Sequence, residues 1–188
     1  MPTLKKIAAT VFAAAALPVA ALAATIGGTN YAPQYDYGEF FAAADGKPFR
    51  VVLLGAPIVG APVEVAAGPL LAQMQAAKPP PRLTFTYDVP AERPRPDYRL
   101  VLMFDAANDF GAASACSDVT PRFKPGTPGR LNVFAVYCRN DLALTQATAW
   151  TSASDANDPR IGQLFRELFP VVFSDALGLR PQSNGNLR

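Results

Sequence analysis

The chain has 188 residues with 17 Lys+Arg, 15 Asp+Glu, two cysteines and no histidine. A formal charge of +2 is too near neutral to imply nucleic acid as a partner. The missing histidine excludes Ser-His-Asp and Cys-His catalysis, imidazole acid–base chemistry and the commonest ligand for zinc, copper and haem. In chain order, Lys5 and Lys6 precede an uncharged run from Ile7 to Ala23 that ends Ala21-Leu22-Ala23. That pattern predicts a signal peptide over residues 1–23, cut before Ala24, and hence a periplasmic or secreted protein. A retained anchor is the alternative, but the run is alanine-rich, is broken by Pro18 and sits at the lower length limit for a span. No later apolar run is long enough to cross a membrane, so no transmembrane segment is expected after cleavage. The leader carries two lysines and no acid, and cleavage leaves 15 basic against 15 acidic residues.

Residues 24–47 are rich in glycine and tyrosine and read as an N-terminal arm whose aromatics pack on the domain that follows. The domain is expected over residues 48–178, with a flexible tail over 179–188. Phe49–Leu54 predicts a buried strand closed by Gly55-Ala56-Pro57. Val63–Ala77 repeats apolar residues at helical spacing, with Pro69 suggesting a start near Gly68. Leu83–Val89 alternates like a strand with one wet face, and Tyr98–Phe104 is apolar on both faces apart from Arg99. Leu131–Cys138 and Leu142–Trp150 are two β-runs joined by the turn residues Asn140 and Asp141. Trp150 reads as core rather than as a sugar platform. A final helix is capped by Asp158-Pro159 and is kinked or ended by Pro170. The order β-α-β-β-β-β-α predicts a single α+β domain: a mostly antiparallel sheet of about five strands with two helices on one face.

In an oxidising compartment Cys116 and Cys138 are expected to form one disulfide. They lack CxxC spacing and any histidine to activate a thiol, which argues against a reactive cysteine. No phosphate-cradling glycine motif is present, and no cofactor or metal site is expected. Asp105, Asp109 and Asp118 fall in the long loop after the central strand, where paired carboxylates could act as acid and base or bind a hard cation. Turns and caps explain isolated loop aspartates without any such function. The densest basic region includes Arg93 and Arg95, held extended in the proline-rich connector, and Arg99 just after it; the three are weak binding candidates for an anionic envelope polymer or a partner protein. The catalytic set is expected to be empty. The leading reading is a non-catalytic binding or interaction module of the cell envelope, and the alternative is an exported hydrolase using Asp105, Asp109 and Asp118.

Several blocks together resemble a family of small exported, often lipoprotein-like, proteins of Gram-negative bacteria without an assigned activity. They are Arg50-Val51-Val52 with Gly55 and Pro57, Phe85-Thr86, Tyr98–Val101 with Phe104, Cys116, Tyr137-Cys138-Arg139 with Leu144, and Leu164 through Pro170. The resemblance spans about residues 48–173 and implies an envelope location but no catalytic residue. This chain departs from it in lacking a cysteine at the leader cleavage point.

Overall fold

The computed structural model describes residues 24–92 and 94–176. The leader with its cleavage residues Ala21 and Ala23, Arg93 and the tail 179–188 lie outside the described residues.

Ten elements follow in order: β1 (Thr25–Tyr31), α1 (Tyr37–Ala44), β2 (Pro48–Leu54), α2 (Val63–Ala77), β3 (Thr84–Thr86), β4 (Tyr98–Phe104), α3 (Ala112–Cys116), β5 (Arg130–Arg139), β6 (Leu142–Ser152) and α4 (Pro159–Val172). The α+β class is as expected, but the sheet is mixed and six-stranded, in the order β1-β6-β5-β4-β2-β3. β1, β6, β5 and β4 pair antiparallel, whereas β2 pairs parallel with both β4 and β3. The parallel pairing follows from α2, which returns the chain to the end of the sheet from which β2 started.

Four boundaries differ from expectation. The arm supplies an edge strand and a helix of its own, because Asp36 caps α1 by accepting from the Gly38 amide at 2.8 Å. Helix α2 starts at Val63 and carries Pro69 inside it. The amide missing at Pro69 leaves the Val65 carbonyl without its helical partner, and Val65 is 68% exposed, so water can take that place. Likewise Pro170 does not stop α4, which runs to Val172 with Pro170 on its exposed side. The strand expected over Leu83–Val89 shrinks to the three residues of β3 at the parallel edge.

One face of the sheet carries the main core. Phe49, Leu100, Leu102, Leu131 and Tyr137 point there, against α1, α2 and α4. The α4 stripe Ile161, Leu164, Phe165, Leu168, Phe169 and Val172 is fully buried, each large side chain contributing roughly 1.5–3 kcal/mol. The arm's tyrosines do pack as feet: Tyr31 donates to the Val171 carbonyl, and Tyr35 to that of Ser174 at 2.7 Å. The other face carries a smaller cluster, Val101, Met103, Val136 and Cys138, roofed by Phe110, Ala115 and Cys116. That roof covers only part of the face, which sets up the site below. Among the described residues no helix is long and apolar enough to cross a membrane.

Candidate functional site

The two cysteines meet as expected. Cys116 at the end of α3 and Cys138 near the end of β5 form a disulfide with their Cα atoms 5.6 Å apart, and both are fully buried. The bond ties the roof to the sheet.

Beside it lies a buried polar knot. Asp97, 2% exposed, meets Arg99 at 2.8 Å and Arg50 at 3.2 Å. Arg99 also donates to the Asn140 carbonyl at 2.9 Å and to the Cys116 carbonyl. The Asn140 side chain accepts from the Asp97 amide at 3.0 Å. One arginine thus joins strand β4, the β5–β6 turn and the disulfide. As a binding candidate Arg99 is corrected: it is 4% exposed and its guanidinium is directed into the protein. Arg95 is exposed, directly before Pro96.

The three loop aspartates have different surroundings. Asp105 is 8% exposed, and its Oδ1 accepts from Asn132 Nδ2 at 2.8 Å. Asp109 is exposed and pairs with Arg122 at 2.9 Å. Asp118 is exposed and lines a separate cleft with Arg50 and Val89. Among the described residues no group of three or more His, Cys, Asp or Glu is placed to hold a metal ion. A further polar cluster is also turned inward. Glu39 accepts from Arg139 at 2.7 and 2.8 Å and from the Tyr98 hydroxyl. Desolvation raises the Glu39 pKa, but the hydrogen bonds from Arg139 and Tyr98 and the Arg139 charge outweigh it and hold the carboxyl below its usual range. Burial and the neighbouring Glu39 push Tyr98 up to about 12.

What stays open is the second face of β1, β6 and β5. Side chains alternate along β6, so Ala147, Ala149 and Thr151 turn into the main core while Gln146, Thr148 and Trp150 turn the other way. Helix α3 roofs the end of the hairpin near Ala143 and leaves this end uncovered. The result is a cleft of about 590 Å³ walled by the loop from Asp105 to Gly111 and by Lys124, within the usual size range of small-molecule sites. Gly28 shapes its β1 edge: it has φ +57° in the irregular stretch between Gly27 and Asn30, and a Cβ there would stand 3.0 Å from Thr148 Oγ1.

Trp150 is 37% exposed in this cleft, so the reading of Trp150 as core is corrected. Arg130 lies over its ring, with the guanidinium carbon 3.8 Å from the centroid. The signal was present in the alternation itself, since Gln146 and Thr148 share the parity of Trp150 and mark that face as wet. Arg130 carried no comparable signal, because its role depends on a neighbour 20 residues away.

No family model matches the chain, and neither does any curated protein. Among solved structures it is similar to the PelC dodecamer from Paraburkholderia phytofirmans, at 10% identity over 80% of this chain and 96% of that one, with a TM-score of 0.39.

Proposed function

We propose that this chain is an exported, non-catalytic binding module of the cell envelope, and that the Trp150 cleft is its binding face. The observation that carries this reading is the chain's single tryptophan, partly exposed in an open cleft with Arg130 stacked on it. A large aromatic ring held at the surface beside fixed polar groups is a feature of recognition sites. Asp105 and Asp118 line different clefts and Asp109 pairs with Arg122, which supports binding over hydrolysis, since hydrolysis needs two carboxyl groups facing one substrate. The basic leader with its Ala21-Leu22-Ala23 ending and the fully buried disulfide support export.

Trp150 supplies the test. The chain beginning at Ala24 should show a saturable change in tryptophan emission when titrated with soluble polymer fractions from a Gram-negative envelope, with no new reducing ends released. Emission that ignores every fraction would remove the cleft as the binding face. Release of cleavage products that stops in Asp105→Asn would replace binding with hydrolysis.

A further inference from the structure

We infer that the Trp150 cleft recognises an acidic saccharide, with a sugar carboxylate on Arg130 and sugar hydroxyls on the surrounding amide and hydroxyl side chains. This rests on the binding reading above and gives its ligand a chemical class.

Arg130 is the arginine whose surroundings point to an anion: Arg95 and Arg166 also meet no carboxylate among the described residues, but both are exposed, and Arg166 bonds Gln163 instead. Arg50 and Arg99 share Asp97, while Arg122, Arg139 and Arg160 meet Asp109, Glu39 and Asp158. Arg130 meets an indole instead and, among the described residues, no carboxylate. Its Nε, like that of Arg50, is buried without a hydrogen-bond partner, which is unfavourable. Stacking on Trp150 also fixes the plane of the guanidinium, and a fixed fork of N–H groups suits a carboxylate better than a mobile ammonium does.

The rest of the lining narrows the class. Lys124 is a second cation on the cleft, with its Nζ 3.1 Å from the neutral Asn108 Oδ1. The one acid on the lining, Asp105, is nearly buried and engaged by Asn132, so the open space is left with a positive bias. Gln146, Thr148 and Thr25 contribute groups that both donate and accept. A bare inorganic anion would leave those groups and the indole unused. An apolar ligand would bury the cations and amides unpaired. Two cations in a chain of net charge +2 give little hold on a nucleic-acid backbone. A molecule bearing a carboxylate, many hydroxyls and a partly apolar ring face satisfies every part of the lining.

The test uses the chain from Ala24 and its tryptophan emission. The titrants are a galacturonic acid tetramer, the neutral galactose tetramer of the same linkage, and inorganic phosphate, all at matched ionic strength. The acidic tetramer should bind at least ~tenfold tighter than the neutral one, and phosphate should not compete at equal concentration. Arg130→Gln should bring the acidic tetramer down to the neutral level, and Arg130→Lys should recover only part of the difference. Lys124→Gln, at an exposed position, gives the same comparison in a smaller step if Arg130→Gln misfolds. Equal affinity for the two tetramers would overturn the acidic specificity while leaving the binding reading intact. Full competition by phosphate would reduce the site to an ion site and overturn the saccharide. Silence towards all three would also overturn it, whereas the binding reading falls only with silence towards the envelope fractions.

Discussion

Asp97 and Arg99 stand two residues apart at the start of β4, and their charges are almost wholly removed from water. Removing the guanidinium would take one of its cationic partners from the Asp97 carboxylate at 2% exposure, with Arg50 remaining at 3.2 Å, and strip donors from the Asn140 and Cys116 carbonyls. Arg99→Ala should therefore lower unfolding free energy by about 3–5 kcal/mol in urea titration, the usual cost of breaking a buried pair from one side. A loss below about 1 kcal/mol, the scale of an exposed pair, would show that the knot contributes little. Glu39 makes a prediction in pH. Its folded pKa is depressed, so the stabilisation it gives is present above its ordinary value of 4.5 and is lost as pH falls below that through the folded value. The urea midpoint should drop between pH 6 and pH 3 by less in Glu39→Gln than in the parent chain, and identical drops would exclude Glu39 from the acid response. Arg99 was legible as an oddity, a lone charge in an apolar strand, but its partners were not. Asp97 is a neighbour in sequence, but Asn140 in the β5–β6 turn and Cys116 at the end of α3 are brought to Arg99 only by the fold.

At the scale of elements, the disulfide and α3 act as one part. The five residues of α3 are too few to be stable as a helix alone, and their place over Val101 and Val136 depends on the Cys116–Cys138 link. The bond spans 22 residues of chain, which corresponds to about 3 kcal/mol on the loop-entropy model. Changing both cysteines to alanine should cost about that much in urea titration. No change would mean that the packing of Phe110 and Ala115 holds the roof unaided. Helices α2 and α4 and the β5–β6 hairpin were readable because each is encoded locally, by apolar spacing, an aspartate cap and turn residues. The parallel pairing was half readable. A strand, a 15-residue helix and another strand imply a crossover, and a crossover implies parallel neighbours. The shortness of β3 was not readable, since Leu83–Val89 alternates correctly and only its place at the sheet edge limits its pairing.

Across the whole molecule, the sheet is a partition with two unlike sides. One side is filled by three helices and an aromatic core. The other is roofed over β4 and the turn end of β5 and left bare over β1, β6 and the rest of β5. The bare part is where the candidate site lies, and the sequence hid it for a physical reason. β1 is recruited through backbone hydrogen bonds to β6, which leave no side-chain pattern, and its Gly27-Gly28 pair does not look like a strand. The first strand of the described chain therefore completes the cleft at the opposite end of the sequence, with Thr25 in register with Trp150. This ordering has a temporal consequence. When the chain emerges from a ribosome or a membrane channel with its N-terminus first, β1 must wait unpaired until almost the whole domain has followed. Closing such a distant contact is slow compared with forming the hairpin or the helices. The cleft is thus assembled last, and a half-emerged chain has not yet formed it.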